Sequence, residues 1–368
     1  MRSAVLLIAL ATFGLVQSAN AASGDWRQWG YTARGLRQNT HESQLTRKTV
    51  PHLVLKWSQP VEISYSSPAV ANGMLYIGCL DGSLRAFDAI SGTPAWSAKV
   101  GSHLDSSPAV ADGTVYVGSD DGSLYAVNAE SGALRWSVIV GAPVVSSPTI
   151  AHGKVFVGNT QGTVFALDAK TGMIKWQQSR VTNGAISTPA VAHELVYAAD
   201  AGGLIYAYDE DSGQVAWMNG FLGHQFAGAP AVDADNVYIL GDSGLKALDA
   251  ATGSEVWEVG AGQIQSSIAV AHGQVYSGSL DHLLFDFATM NGTLLYDATV
   301  QNTTRSTPAL ANGVLYIGSD AGTVEAYDAK TGMSLWSAQI GGSVVSSPTV
   351  SNGMLYAGAA TLNAYGLP

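Results

Sequence analysis

Residues 66–96 read SSPAVANGMLYIGCLDGSLRAFDAISGTPAW, and related blocks follow one another along most of the chain at a spacing of about 40 residues. A fixed spacing of this length is typical of an architecture built from repeated supersecondary units. The blocks begin at Ser66, Ser106, Ser146, Ser187, Gly228, Ser266, Ser306 and Ser346. An aromatic residue keeps the same phase, at Trp57, Trp96, Trp136, Trp176, Trp217, Trp257, Tyr296 and Trp336. The chain is therefore predicted to contain eight copies of one structural unit.

Each block carries the signals of four short strands. Asn72-Gly73 and Asp81-Gly82 are residue pairs that tolerate the left-handed backbone of tight hairpin turns, and Ser91-Gly92 marks a third turn. The segments between these turns alternate with a period of two, which indicates strands and excludes a helical solenoid. A four-stranded unit of about 40 residues favours a β-propeller. The predicted strands of this block are Ser66 to Ala71, Met74 to Cys79, Ser83 to Asp88 and a fourth that carries Trp96.

The last block indicates how the ring closes. Residues 346–366 contain only three strand segments, and the missing fourth segment, with its Trp57, lies at the other end of the chain in Leu53 to Val61. We expect this N-terminal strand to complete the last blade, because an open sheet edge leaves backbone groups unpaired. The sequence therefore predicts an all-β fold, an eight-bladed β-propeller of four-stranded antiparallel blades. The Trp residues are expected to fill the wedges between neighbouring blades.

The chain divides into a leader (residues 1–22), an N-terminal arm (residues 23–52) and the propeller (residues 53–368). Arg2, the apolar run from Ala4 to Val16 and the triplet Ala19-Asn20-Ala21 form the pattern of a cleavable signal peptide. A membrane anchor is the alternative, but the run is shorter than the ~20 residues that span a bilayer. No Cys lies directly at the predicted cleavage site, so no lipid anchor is expected there. We expect an exported protein, periplasmic or secreted.

The charge of the chain is unevenly distributed. Its formal net charge is −11, yet residues 23–56 carry six basic and two acidic side chains, which leaves the repeats strongly acidic. An acidic body repels nucleic acid and anionic lipid, so neither is expected as a partner. The basic arm, with Trp26 and Trp29, is expected either to pack on the acidic body or to bind a partner. The protein is expected to be a monomer with Cys79, its single cysteine, as a buried thiol.

The loops that precede each block are where the repeats differ most, and they lead into the innermost strands at the channel mouth. Symmetric positions build the scaffold, so a ligand is expected at these asymmetric loops. Val144-Val145 and Val344-Val345 are apolar where other loops are polar, which suits a small ligand or a protein partner. The alternative is that solvated loops vary freely. No catalytic residue is assigned; the candidate ligand-binding residues are Glu62, His103, Asp105, Asn183, His224, Gln225, Gln265, Asn302 and Arg305.

The segment from Ala86 to Trp96 fits the pattern AxDxxxGxxxW, which recurs in phase along the chain. It resembles the tryptophan-docking motif of the pyrroloquinoline-quinone (PQQ)-repeat propellers, which include the quinoprotein dehydrogenases and the BamB-type propellers. The resemblance extends over residues 53–366. It implies the propeller fold but leaves the function open, because catalytic and non-catalytic members share the motif.

The dehydrogenases of this family hold PQQ in the channel with a Ca²⁺ ion and an Asp base. The resemblance implies that Glu62, Asp105, Asn183 and Asn302 would supply oxygen ligands to Ca²⁺. Arg305 would pair with a quinone carboxylate. The chain departs from these enzymes in three ways: it has a single cysteine and so lacks their adjacent Cys pair, it lacks the insertions that roof their site, and it has no CxxCH haem motif.

The BamB-type propellers have compact blades like these and bind protein partners, but they carry a lipid anchor that this chain lacks. We therefore expect an exported, non-catalytic propeller that binds a protein or a small ligand at the face formed by the mouth loops, without a cofactor. The alternative is a minimal PQQ-dependent alcohol or sugar dehydrogenase that uses PQQ and Ca²⁺.

Overall fold

The computed structural model describes residues 24–63, 65–179, 184–220, 228–241, 244–260 and 263–368. The predicted leader lies outside these residues. Strands dominate the described part, and the one helical segment assigned within it is a 3₁₀ turn, Val50–His52. No helix in this part of the chain is long and apolar enough to cross a membrane.

The strands form eight sheets, one for each blade, and the arm strand Gln38–Asn39 adds a fifth strand to the seventh sheet, parallel to Ala309–Ala311. The innermost strands are Ala69–Ala71, Ala109–Ala111, Thr149–Ala151, Ala190–Ala192, Ala231–Val232, Ala269–Ala271, Ala309–Ala311 and Thr349–Ser351. The second strands are Met74–Gly78, Thr114–Gly118, Lys154–Gly158, Leu195–Ala199, Asn236–Gly241, Gln274–Gly278, Val314–Gly318 and Met354–Gly358. The third strands are Ser83–Asp88, Ser123–Asn128, Thr163–Asp168, Leu204–Asp209, Gly244–Asp249, Leu283–Ala288, Thr323–Asp328 and Thr361–Gly366. The outermost strands are Pro94–Lys99, Leu134–Ile139, Ile174–Ser179, Val215–Gly220, Glu255–Gly260, Leu294–Thr299, Ser334–Gln339 and Val54–Pro60.

The eight-bladed propeller is confirmed, and so is its closure. The outermost strand of blade 8 is Val54–Pro60, which pairs antiparallel with Thr361–Gly366 and sets Trp57 opposite Ala364. The first and last strands of the propeller therefore lie in one sheet. Each blade buries apolar side chains on both of its faces against its neighbours, which explains why the inner three strands read as nearly continuous apolar runs.

The innermost strands are shorter than the sequence predicts. In blade 1 the strand begins at Ala69 rather than Ser66, because Pro68 has no N–H to donate to a ladder. Ser66 and Ser67 instead bond across to the next blade: Ser66 Oγ donates to Ser106 O, and Ser67 N–H donates to Ser107 Oγ. The turn that follows is the predicted one, since Asn72 and Gly73 both have positive φ.

The docking aromatics bond each blade to the next. The indole N–H groups donate to backbone carbonyls of the following blade, for example from Trp57 to Ala89 O at 3.0 Å and from Trp217 to Ala250 O at 3.0 Å. The indole also packs against the turn glycine of that blade, where a Cβ on Gly92 would lie 2.5 Å from Trp57. Tyr296, which replaces Trp in blade 6, makes the equivalent bond through its hydroxyl to Ala329 O at 2.9 Å.

The N-terminal arm packs across one end of the propeller and contacts all eight innermost strands. These contacts fall near the turns that end the innermost strands, so the arm covers the face opposite the mouth loops. Six arm carbonyls accept N–H groups from the strands, the Gln28 side chain accepts a seventh, and the Asn39 amide donates to the eighth strand. The pairs are Val70–Trp26, Val110–Arg27, Ile150–Gln28, Val191–Ala33, Val232–Arg34, Val270–Leu36, Leu310–Arg37 and Val350–Asn39.

Arg37 anchors this arm in the centre of the ring. Its side chain is fully buried, and its guanidinium donates to the carbonyls of Pro308 at 2.9 Å, Pro348 at 2.7 Å and Trp29 at 2.5 Å. The guanidinium also lies 5.1 Å from the ring centroid of Trp26 and 4.9 Å from that of Trp29. Burial lowers the pKa of Arg37 to about 9, so the group stays charged at neutral pH.

Blade 6 contains a buried acid where the repeat has alanine. Asp286 is fully buried between Tyr276 and Tyr296 in the strand register. Its Oδ2 accepts a hydrogen bond from Gln274 Nε2 at 2.5 Å, while its Oδ1 has no partner. Burial raises the pKa of Asp286 to about 7. The equivalent residues in the other seven blades are Ala86, Ala126, Ala166, Ala207, Ala247, Ala326 and Ala364.

Asp286 should make the stability of the protein fall as the pH rises from about 4 to about 7. The folded state disfavours the ionised carboxylate, so the penalty is absent below the unfolded-state pKa and complete above the folded-state pKa. We expect Asp286→Asn to remove roughly 2 kcal/mol of the wild-type loss in unfolding free energy between pH 5 and pH 8. Urea unfolding at both pH values measures this. Asp297→Asn, an exposed change in the same blade, is the control, and equal pH slopes for the wild type and Asp286→Asn would refute the assignment.

Candidate functional site

A cavity of about 510 Å³ lies on the propeller axis and opens at the face formed by the mouth loops. Trp29 from the arm lines it, and because the arm spans the opposite face, the cavity is a blind well with the arm as its floor. We call it the axial well. It is lined by Trp29, Tyr65, Asp105, Val145, Ser146, Ser147, Ala185, Ile186, Ser187, Thr188, Ala201, Ala229, Gln265, Ser267, Arg305, Thr307, Val345 and Ser347.

A ring of hydroxyl groups surrounds the axis just inside the mouth. At seven of the eight junctions between blades, the backbone N–H of the second residue of the block donates to the hydroxyl, at the same position, of the next blade, at 2.9–3.1 Å. The ring consists of Ser67, Ser107, Ser147, Thr188, Ser267, Thr307 and Ser347. Because each hydroxyl oxygen already accepts this N–H, its own hydrogen remains a donor that can point toward a ligand.

The ring is broken between blades 4 and 5. Ala229 occupies the position of the hydroxyl residue in blade 5, so Thr188 N–H has no hydroxyl to donate to. Among the described residues no hydrogen bond of this N–H is found. Ala229 N–H itself donates normally to Ser267 Oγ at 2.9 Å. The break therefore leaves the Thr188 N–H, in the wall of the axial well, without an acceptor among the described residues.

The mouth residues that face the well share one position in the repeat, directly before the serine pair. Asp105, Gln265 and Arg305, three of the predicted site residues, occupy this position together with Tyr65 and the apolar Val145 and Val345. Ile186, directly before the pair in blade 4, instead packs inside its blade, since a Cβ on Gly158 would lie 2.4 Å from it. In the loops that lead into blades 3 and 8, the residue one place earlier points away from the axis. A Cβ on Gly118 would lie 2.4 Å from Val144, and one on Gly318 would lie 2.4 Å from Val344, so these two Val side chains pack inside their blades.

The other predicted site residues are not brought to the well. Glu62 lines a separate groove of about 330 Å³ with Cys79, Asp81 and Arg85, between blades 8 and 1. His103 is exposed, with its Nδ1 3.9 Å from Asp120 Oδ2. Asn302 Oδ1 accepts the N–H of Thr303 at 2.7 Å, and the residue does not line the cavity. Asn183, His224 and Gln225 lie outside the described residues.

The acidic side of the mouth contains unpaired oxygen atoms. Asp105 Oδ1 and Asp120 Oδ1 are buried and have no hydrogen-bond partner. Burial and the nearby charge of Asp105 raise the pKa of Asp120 above its usual range. These carboxylates lie in blade 2, and their free oxygens favour a hydrogen-bond donor from solvent or from a ligand.

The basic side of the mouth is formed by one residue, Arg305. Its Nη1 lies 3.6 Å from Asp320 Oδ1, and no hydrogen bond from its guanidinium to a described residue is found. Asp320 is already satisfied, since its Oδ1 accepts from Ser343 Oγ at 2.7 Å and its Oδ2 accepts from Thr303 Oγ1 at 2.6 Å. The planar donor edge of Arg305 is therefore free for a carboxylate.

Sequence reasoning missed the floor and the wall of the well. Trp29 belongs to the arm, which is not repeated, so no internal comparison could place it. The hydroxyl ring was readable in principle, because the second serine of each block recurs at a fixed spacing and Ala229 interrupts it. Its symmetry was taken as a sign of scaffold alone, although a symmetric ring around a channel also supplies the channel wall.

The oxygen donors that the resemblance assigns to Ca²⁺ do not converge in the described residues. Asp105 lines the axial well, Glu62 lies in a different groove, and Asn302 is outside the well lining. In the part of the chain that the structure describes, no group of three His, Cys, Asp or Glu residues is placed to hold a metal ion. Ca²⁺ takes about 6–8 oxygen ligands. Glu62, Asp105 and Asn302 therefore do not form one calcium site, and Asn183, the fourth assigned ligand, lies outside the described residues.

The fold and the axial well define the protein as an eight-bladed propeller with a blind central cavity. A family model described as "Outer membrane protein assembly factor BamB" matches residues 80–294 and 283–366, so the chain belongs to this family of PQQ-repeat propellers. No curated protein sequence is significantly similar to the chain.

Solved structures of two functional classes share the fold. BamB from Moraxella catarrhalis is 21% identical, with a TM-score of 0.71 over 86% of this chain and 98% of that one. A europium-containing methanol dehydrogenase is 14% identical, with a TM-score of 0.80 over 94% and 98%. The quinohemoprotein alcohol dehydrogenase from Comamonas testosteroni is 16% identical, with a TM-score of 0.79 over 95% and 82%. Identities this low establish the fold and not the activity.

Proposed function

We propose that this protein is an exported binding propeller that takes a protein or a small ligand into the axial well from the mouth face. The observation that supports this most is the blind well itself. It is open on one face, floored by Trp29, apolar on the side of blades 3 to 5 and polar on the side of blades 6, 7 and 2. A concave site with an apolar wall and a few free polar groups is the general form of a ligand site.

The absence of a convergent calcium ligand set in the described residues favours binding over quinone chemistry. A PQQ-dependent alcohol or sugar dehydrogenase is the second candidate, because two of the similar structures are alcohol-oxidising enzymes and Arg305 offers a carboxylate partner in the channel. Dye-linked dehydrogenase activity that appears on addition of PQQ and Ca²⁺, and that disappears in Asp105→Asn, would support this second candidate and contradict the first.

Blocking the mouth should abolish partner binding. Val145 lines the well and is 38% exposed, so Val145→Arg places a long cation across the opening. We expect immobilised wild-type protein to retain a partner or ligand from the exported fraction of its host, and Val145→Arg to lose it, as judged by mass spectrometry of the eluate. Ile139→Arg makes the same change at a 79% exposed position on the outermost strand of blade 2 and should bind as the wild type does. Identical eluates from all three proteins would contradict a role for the mouth.

A further inference from the structure

We propose that the axial well recognises a carboxylate group attached to a small apolar body, with a second hydrogen-bond acceptor close to the carboxylate. This inference rests on the proposed function and names the chemistry of its ligand. Two sources offer the same chemistry, the free C-terminus of a peptide and a free small carboxylic acid. Three features of the well support it: the free guanidinium of Arg305, the unpaired N–H of Thr188 and the apolar wall beside that N–H.

Arg305 is the anion-binding element. Among the described residues that line the well it is the one basic side chain, and its loose contact with Asp320 leaves its planar edge of N–H donors unused. Arginine pairs with carboxylates in a two-point geometry, which gives direction as well as charge. Hydroxyl donors are added on that side by Ser267 in blade 6, Thr307 in blade 7 and Ser347 in blade 8. Blades 6 to 8 therefore present several donors to an acceptor-rich group.

Thr188 N–H is the second recognition element. In the other junctions of the hydroxyl ring this N–H has an acceptor in the protein, and here Ala229 removes it. A polar backbone group that lacks a partner costs free energy unless water or a ligand satisfies it. A carbonyl oxygen of a bound ligand would take the place of the missing hydroxyl oxygen.

The surroundings of this N–H define the body of the ligand. Ala185, Ile186, Ala201 and Ala229 line the well on the same side, with Val145 at the mouth. These side chains offer apolar contact and no charge, so they select a small aliphatic or aromatic group rather than a second polar one. Trp29 limits the depth of the well, which at about 510 Å³ accepts a small molecule or the last residues of a peptide.

Calorimetric titration with two matched acids tests the inference. The probes are trialanine, for the peptide source, and 4-oxo-4-phenylbutyrate, for the free-acid source, each compared with its amide. Both acids have a carbonyl oxygen close to the carboxylate. We expect at least one acid to bind, and its amide and the Arg305→Gln variant to bind roughly tenfold more weakly, because the charge-assisted pair is lost. Arg85→Gln, which removes an Arg outside the well that pairs with Asp81, is the control and should leave the affinity unchanged.

Ala229→Ser separates recognition from simple structural support. The substitution restores the hydroxyl ring, so it should raise the Tm of the free protein by satisfying Thr188 N–H. The same change should weaken binding of the acid roughly fivefold, since the ligand loses its donor. A higher Tm with unchanged affinity would overturn the role of Thr188.

The outcomes also separate this inference from the proposed function. If neither acid binds, or if binding ignores Arg305→Gln, the carboxylate inference is wrong, even where Val145→Arg still abolishes partner capture and the proposed function holds. If Val145→Arg leaves partner capture intact while trialanine or 4-oxo-4-phenylbutyrate binds through Arg305, the ligand chemistry holds and the mouth-face function fails. Binding of trialanine without 4-oxo-4-phenylbutyrate assigns the peptide source, and the reverse assigns the free acid.

Discussion

Replacing Val54–Pro60 with a Gly/Ser segment of equal length should lower the free energy of unfolding by at least about 5 kcal/mol, which is comparable to the whole stability of many domains. The segment contributes the outermost strand of blade 8 and the docking residue Trp57. Loss of one buried Trp alone costs about 3–5 kcal/mol. Equal length keeps the arm in reach of its contacts, so the effect measures closure of the ring rather than loss of the arm.

The structural reason is that Trp57 joins blade 8 to blade 1. Its indole N–H donates to Ala89 O in blade 1. The distance between ring centroids is 6.0 Å from Trp57 to Tyr356 and 6.4 Å from Trp57 to Phe87. Without the strand, Thr361–Gly366 would become an exposed sheet edge, which pairs readily with other chains. We therefore expect aggregation as well as a lower midpoint in urea.

The double variant Leu55→Ser/Lys56→Ser is the matched control. Both residues are exposed on the same strand, so it lowers the apolar and charged content of the segment while its backbone pairing remains. Urea unfolding followed by tryptophan fluorescence should show the control close to the wild type. If the Gly/Ser protein unfolds at the same urea concentration as the control, strand Val54–Pro60 does not close the ring.

The number of blades and their closure could be predicted because they are properties of the repeat. Every block contains the same turn and strand signals, so a block whose own signals are weak can be assigned by its alignment with the others. Blade 6 shows this, since Tyr296 replaces Trp and Asp286 replaces Ala, yet the register of Leu283–Ala288 with Leu294–Thr299 is that of its siblings. The hydroxyl of Tyr296 recovers the inter-blade bond that the indole makes elsewhere.

The site could be predicted only in part, because the sequences of the mouth loops do not show which side chains point toward the axis. Asp105, Gln265 and Arg305 line the well, since they directly precede the serine pair. Glu62 and Asn302 lie four places before their serine pairs, and His103 lies three places before its own, too early in the loop to turn inward. Polar character in the loop was a weaker guide than position in the repeat.

The arm could not be placed from sequence, because its path depends on backbone groups of the ring. The arm supplies backbone carbonyls to N–H groups of the innermost strands. Every residue has a backbone carbonyl, so these contacts leave no signal in the sequence. What is specific is Arg37, whose charge is satisfied by three carbonyls and two indoles. The well has a floor for this reason, and the ligand site depends on a residue that no repeat contains.

Arg37→Ala should therefore lower the free energy of unfolding by about 4 kcal/mol. The change removes the side-chain donor to the buried carbonyls of Pro308 and Pro348, and one of two donors to the Trp29 carbonyl. It also leaves a void beside Trp26 and Trp29, and both losses are costly in a packed interior. Arg37→Lys keeps the charge, but its single ammonium group cannot reach all three carbonyls. Its free energy of unfolding should therefore lie between those of the wild type and Arg37→Ala. Urea unfolding at pH 7 measures all three proteins.

Arg34→Ala is the control, because Arg34 lies in the same arm and its side chain makes one long contact, 3.5 Å to Asp233 O, at the surface. It should unfold within about 0.5 kcal/mol of the wild type. Ligand binding provides a second measurement, because Arg37 lies beneath the well and holds the Trp29 backbone. Arg37→Ala should therefore also weaken ligand binding in the well, whereas Arg34→Ala should not. If Arg37→Ala and Arg34→Ala unfold at the same urea concentration and bind alike, the buried guanidinium does not hold the arm, and the axial well has no fixed floor.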